Sequence, residues 1–155
     1  MTKLCDLGPQ DTITSVSWCP KGTQVAVGTH SGYVQLWDIK RNKKIRQFSG
    51  HQARVGCMAW NVDCLTTGSR DRTIFNRDVR SPRDFVQQLQ DGHRQEVCGL
   101  RWSHEETFLA SGGNDNRLLL WDKRQIKPFS KCTDHTAAIK ALAWSPHQVS
   151  HATLF

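Results

Sequence analysis

No stretch of the 155-residue sequence approaches the roughly 18 consecutive apolar residues of a membrane-spanning helix, and its first residues lack the cationic-then-apolar pattern of a secretory leader. Neither a helical span nor a signal segment is expected. The six cysteines, Cys5, Cys19, Cys57, Cys64, Cys98 and Cys132, contain no Cys-x-x-Cys pair and no secreted-domain framework, which points to a reducing, intracellular setting. Cys57 and Cys98 fall on expected inner strands and read as small buried apolar groups. Helical periodicity is missing, which excludes a helical bundle. The one Gly-Gly pair, Gly112-Gly113, leads into a strand turn rather than a helix, so no phosphate-cradling loop is expected. His147 and His151, four apart, would share a helical face suited to zinc, but no third ligand lies close by. No metal and no cofactor are therefore expected.

What is present is an ordinary folded composition, 37% apolar and 23% charged, which argues against disorder. The net charge of +7 permits an acidic partner without requiring one. Lys40, Arg41, Lys43, Lys44 and Arg46 form the one local basic cluster, read as a solvated turn between strands. Nucleic-acid binding would need exposed aromatics interleaved with the cations; the tryptophans are instead assigned to packing, and no nucleic-acid partner is expected.

The tryptophans carry the organisation. Trp18, Trp60, Trp102 and Trp144 recur every 42 residues, and His51, His93 and His135 keep the same step. A fixed period of this length means an array of one supersecondary unit. Each unit reads as a strand ending in Trp, a second strand such as Leu109 to Gly113, a tight turn such as Asn114 to Asn116, and a third strand such as Leu118 to Trp121-Asp122. Gly50-His51 and Gly92-His93 precede two units, and Trp37-Asp38 and Trp121-Asp122 close two, with Arg77-Asp78 in the middle one. This is the pattern of a WD-repeat blade.

The expected strands are Lys3 to Leu7, Ile13 to Trp18, Gln24 to Gly28, Tyr33 to Trp37, Lys44 to Phe48, Val55 to Trp60, Cys64 to Gly68 and Thr73 to Arg77. They continue with Phe85 to Leu89, Val97 to Trp102, Phe108 to Gly112, Leu118 to Trp121, Pro128 to Cys132 and Ile139 to Trp144. The fold class is all-β: one domain, residues 1–155, with repeats at about 13–54, 55–96 and 97–138 and a truncated unit at 139–155. With one unit every 42 residues, 155 residues make about three and a half four-stranded antiparallel blades, fewer than the roughly four to eight of a closed propeller. A partial β-propeller, a piece of a longer one, is the expectation. In the final unit Val149 to Phe155 replaces the usual second strand, and unpaired blade edges would favour self-association.

His93, Ser111 and Asp115 are the residue types of a hydrolase triad, but in a WD unit the same residues form a buried brace with Trp121. The preceding unit would use His51, Thr67 and Asp71, with Arg77 in place of Trp, while the first unit has Val27 and Ser31 and no brace. The chain is therefore not expected to be an enzyme. Loops before the inner strands and turns between second and third strands build one propeller face, which should gather Arg54, Arg70, Arg72, Glu96, Asn114 and Asn116. Carboxamides both donate and accept, and arginines grip carboxylates through two bonds, so this rim suits an extended polar peptide. Plain turn-forming is the alternative for the same residues.

Ala53-Arg54-Val55-Gly56, Gly68 to Arg72 (GSRDR), His93 to Ser103 (HRQEVCGLRWS), Ala110 to Asn116 (ASGGNDN) and Ala143 to Gln148 (AWSPHQ) closely resemble the Fizzy and Fizzy-related family, the second branch in particular. The resemblance implies a seven-bladed propeller that activates the anaphase-promoting complex, a ubiquitin ligase, by recruiting substrates such as cyclins. It implies a role for Asn114 and Asn116 in binding a Lys-Glu-Asn degron, and localisation to nucleus and cytoplasm. It also implies an N-terminal docking motif, a C-terminal Ile-Arg tail and a destruction-box receptor between first and last blades, none of which is present in these residues. The expectation is that this polypeptide alone does not activate the ligase. A scaffold that joins proteins without reading degrons is the competing reading.

Overall fold

Alternating apolar and polar residues, separated by Gly, Asn, Asp and Pro turns, dictate short antiparallel strands. The computed structural model describes residue 4, residues 6–145 and the backbone of 152–154, and among these residues there is no helix. Three sheets of four strands follow one another. The first holds β1 (Ile13–Trp18), β2 (Gln24–Thr29), β3 (Val34–Asp38) and β4 (Lys43–Phe48). The second holds β5 (Val55–Asn61), β6 (Cys64–Ser69), β7 (Ile74–Asp78) and β8 (Gln87–Leu89). The third holds β9 (Val97–Trp102), β10 (Phe108–Gly113), β11 (Leu118–Asp122) and β12 (Pro128–Cys132), and β13 (Leu142–Trp144) pairs with β14 (Ala152–Leu154). All pairings are antiparallel, and β1, β5, β9 and β13 lie beside one another in turn. The molecule is a partial propeller whose inner strands line the axis.

A repeated interlock holds neighbouring blades together. A residue at the start of β5 and of β9, and one just ahead of β13, inserts into the preceding sheet: Val55 and Val97 are wholly buried and Ile139 nearly so. Each meets a glycine of the second strand. A Cβ on Gly28 would lie 2.9 Å from Val55, one on Gly68 2.7 Å from Val97, and one on Gly112 2.6 Å from Ile139. Burying each of these side chains stabilises the fold by about 1.5–3 kcal/mol, which requires the glycines to stay bare. Apolar clusters accordingly lie between sheets, with Leu36, Phe48 and Leu65 at the first junction and Leu109, Leu119 and Trp121 at the second. The periodic tryptophans reinforce this: the Trp60 indole donates to Ser17 O at 3.2 Å and Trp144 to Arg101 O at 3.0 Å. Trp18 does not pack in this way and is 56% exposed, because no described blade precedes it.

Several expectations are corrected. Leu4, Asp6 and Leu7 are not in a strand, and the rest of the Lys3 to Leu7 segment lies outside the described residues. The strand expected from Phe85 begins at Gln87, because the Asp84 carbonyl is held by Arg77 and Phe85 stacks on Phe75 with centroids 4.4 Å apart. The one expected from Ile139 begins at Leu142, since the Ile139 amide instead donates to Gly113 O at 3.1 Å across the preceding blade. Lys43, Lys44 and Arg46 of the basic cluster lie on β4 rather than in a turn, and Arg46 donates to the Ser81 and Arg83 carbonyls of the next blade. His147 and His151 lie outside the described residues.

Candidate functional site

The inner strands β1, β5 and β9 each start with a bulge. Pairing skips Thr14 between Ile13 and Ser15, Gly56 between Val55 and Cys57, and Cys98 between Val97 and Gly99. A bulge re-aims the extra residue's side chain. Cys98 therefore does not serve as a buried apolar filler: its thiol reaches the rim and donates to Asn114 Oδ1 at 3.2 Å. Cys57 stays against the core, donates to Val97 O at 3.4 Å, and is pushed up in pKa by burial.

The rim residues meet in one cleft of about 460 Å³ lined by Arg54, Arg70, Arg72, Gln95, Glu96 and Asn114. Asn116 is not among its lining residues; it is half-buried, at φ 61° in the tight turn. Gln95 was missed, although its place beside Glu96 in the loop before β9 was the available signal. Arg54 and Glu96 grip each other bidentately, both bonds 2.8 Å, and a Cβ on Gly56 would stand 3.2 Å from the Glu96 carboxylate. The guanidinium holds the Glu96 carboxyl below its ordinary pKa. This pair straps the second blade to the third and satisfies the acid, leaving Arg70 and Arg72 as the exposed cations of the cleft.

The third turn position has positive φ in all three blades: 90° at Gly32, 75° at Arg72 and 61° at Asn116. Glycine and asparagine adopt this region readily, whereas arginine pays about 1–2 kcal/mol there. Strain of this kind is characteristically retained where a side chain has work to do. The Asn114 backbone N–H donates to Glu96 O at 2.9 Å, which ties the turn to the loop on the other side of the cleft.

Beneath the rim lies the brace. His93 Nδ1 is 2.9 Å from Asp115 Oδ1, His93 Nε2 is 2.8 Å from Ser111 Oγ, and the Trp121 indole donates to Ser111 Oγ at 2.8 Å. Asp115, held below the ordinary carboxylate pKa by the Arg94 amide and His93 despite its burial, accepts from Nδ1–H, so Nε2 accepts the Ser111 proton. Burial lowers the imidazole pKa. Ser111 is wholly buried, with no path for a substrate to its hydroxyl. In the second blade His51 binds Thr67 at 2.9 Å and Asp71 at 3.1 Å, and Arg77 Nε donates to Thr67 Oγ1 at 3.0 Å. The first blade substitutes Gln35, which accepts from the Trp37 indole at 3.1 Å, and Asp11, which accepts from the Ser31 amide at 3.0 Å.

Sheets of four strands, the interlock and the brace define a WD-repeat propeller protein. Residues 84–122 match the family model described as WD domain, G-beta repeat, and residues 3–63 match that of the anaphase-promoting complex subunit 4 WD40 domain. The chain belongs to the Fizzy and Fizzy-related family. It is 53% identical over 147 residues to the B-type cell cycle switch protein ccs52A of Medicago truncatula, covering 95% of this chain and 31% of that protein. It is also 53% identical over 150 residues to Protein FIZZY-RELATED 3 of Arabidopsis thaliana, covering 97% and 31%. A solved structure titled Crystal Structure of Mitotic Checkpoint Complex matches with TM-score 0.93 and 42% identity over 96% of this chain and 45% of that one. The chain thus spans about a third of the curated relatives' length.

Proposed function

We propose that the chain is the degron-reading part of an activator of the anaphase-promoting complex. Its partners in that role are the ligase's subunits and substrates such as cyclins, and its compartments are nucleus and cytoplasm. The observation that carries this reading is the cleft in which the Asn114 carboxamide stands with the exposed Arg70 and Arg72. A peptide carrying Lys-Glu-Asn offers a carboxylate for the guanidinium groups and a carboxamide for the asparagine. The 53% identity with Protein FIZZY-RELATED 3 supports it, as does the 50% identity with the protein named Anaphase-promoting complex subunit cdc20 from Dictyostelium discoideum.

On this reading the chain binds and presents, and does no chemistry. The His93–Ser111–Asp115 arrangement serves as a strand brace, consistent with its burial beneath Trp121. Arg54 and Glu96 shape the cleft through their mutual pair, and Asn116 holds the turn. Titration of a labelled Lys-Glu-Asn peptide against wild type, Asn114→Ala and Asn116→Ala tests the assignment. Loss of one hydrogen bond weakens binding about fivefold, the equivalent of roughly 1 kcal/mol. Unchanged affinity in both variants removes the site; binding of large partners without any degron peptide favours the scaffold reading.

A further inference from the structure

Asn114 lines the cleft through a carboxamide whose two ends are chemically opposite, an acceptor oxygen and a donor nitrogen. Which end faces a ligand decides what the cleft can read. The side chain is exposed, and among the described residues its amide group meets the Cys98 thiol, 3.2 Å from Oδ1. The Cys98 sulfur also lies 3.5 Å from the Glu96 carbonyl, the same oxygen that accepts the Asn114 backbone N–H.

Burial and the neighbouring Glu96 carboxylate push the Cys98 thiol above its ordinary pKa, so it stays protonated at neutral pH. A protonated thiol is a donor with weak acceptor character. Its single proton goes to the nearer acceptor, Asn114 Oδ1 at 3.2 Å rather than Glu96 O at 3.5 Å, and so satisfies Oδ1 and not Nδ2. The bulge puts it there: at the matching places the first two blades carry Thr14 and Gly56, and only the third offers a thiol to an asparagine.

We infer that Cys98 is a positioning residue which locks the Asn114 carboxamide with its nitrogen toward the cleft, so that this point of the site demands an acceptor oxygen from the bound peptide. The inference rests on the peptide-binding reading. It makes the cleft doubly selective for oxygens, with N–H donors on Asn114 and on the arginines. An amide free to flip would lose part of that selectivity. Serine in place of Cys98 keeps a donor on the same carbon, whereas alanine removes it.

The test has two arms, both on the full chain. A Lys-Glu-Asn peptide is titrated against wild type, Cys98→Ser and Cys98→Ala, with thermal unfolding recorded for each. The expected result is serine within about twofold of wild type and alanine about fivefold weaker, the factor for one neutral hydrogen bond. Alanine equal to wild type, or serine as weak as alanine, overturns the role. The second arm needs no peptide: iodoacetamide alkylation mapped at Cys98 is compared between wild type and Asn114→Ala. Faster alkylation in Asn114→Ala supports the thiol–carboxamide bond, and an unchanged rate overturns the inference by itself. A wild-type chain that binds no peptide while alkylation responds overturns the peptide-binding reading, and the inferred role with it, but leaves the bond standing.

Discussion

Arg77 Nε stands 3.0 Å from Thr67 Oγ1, where one blade later the Trp121 indole nitrogen stands 2.8 Å from Ser111 Oγ. The registers match, Arg77 opposite Leu65 and Trp121 opposite Leu109, so a cationic side chain fills the place of an indole and supplies the same donor. It does more than an indole could. Nη1 also donates to the Ser49 and Asp84 carbonyls at 2.7 and 2.6 Å, and the guanidinium lies between the Phe48 and Phe75 rings. Burial pulls its pKa down to about 10, still charged at neutral pH.

Replacing Arg77 by Met keeps the volume and strips every donor, taking its hydrogen bonds from the Ser49 and Asp84 carbonyls and leaving Thr67 Oγ1 with His51 alone. The expected cost is about 2–4 kcal/mol, since each orphaned buried group costs roughly 1–3. Urea unfolding measures it, and a loss under about 1 kcal/mol would show the guanidinium to be dispensable.

Acid should loosen the blades in two stages. His51 and His93 are held below the ordinary imidazole value by burial, so the unfolded chain takes up their protons first and stability falls as pH drops below about 6.5. Asp71 and Asp115 are held below the ordinary carboxylate value, so their contribution is complete above it and is lost only as pH falls further through their own values. Burial opposes that shift, but His51 and Thr73 at Asp71, and the Arg94 amide and His93 at Asp115, outweigh it. Melting temperature should therefore be lower at pH 5.5 than at pH 7.5, with a further fall below pH 4. A profile flat from 7.5 to 5.5 would mean that the imidazoles are not buried neutral.

The interlock predicts which glycine lesion can be repaired. A methyl at Gly68 collides with the Val97 side chain, so Gly68→Ala should cost about 1–3 kcal/mol and Val97→Ala should recover part of it. At Gly112 the nearest atom is the Ile139 carbonyl oxygen, 2.5 Å away, and trimming Ile139 should recover little. Strict additivity at Gly68 and Val97, read from a double-mutant cycle, would contradict the interlock.

Arg72 trades stability for contact. Arg72→Gly removes the left-handed strain and should leave the chain equally stable or up to about 1 kcal/mol more so, while peptide affinity falls. Stability and affinity falling together would place Arg72 among the packing residues.

The period of the tryptophans and the turn glycines made the sheets legible, because inner strands and their opening valines recur at a constant step. The opposite charges of Arg54 and Glu96 at equivalent positions, 42 residues apart, were a readable sign of a strap between blades. Other features could not be read that way. Cys98 directly follows Val97 whereas Cys57 stands two residues after Val55, and that one-place offset gains its consequence only from the bulge, which falls on Cys98 and on Gly56, so the two cysteines face different surroundings. Arg77 breaks the WD pattern in sequence but keeps its hydrogen bond, since one donor geometry can come from two unrelated side chains. Trp18 keeps the pattern but not the packing, because packing requires a neighbouring sheet.

The most direct test of the account is where a degron peptide lands. A Lys-Glu-Asn peptide bearing a benzophenone is photo-crosslinked to the chain, with and without excess unlabelled peptide, and the adducts are mapped by mass spectrometry. The account predicts competable adducts around Arg70 to Arg72, Gln95 to Cys98 and Asn114. Adducts confined to other surfaces, or ones that excess peptide does not displace, would contradict it.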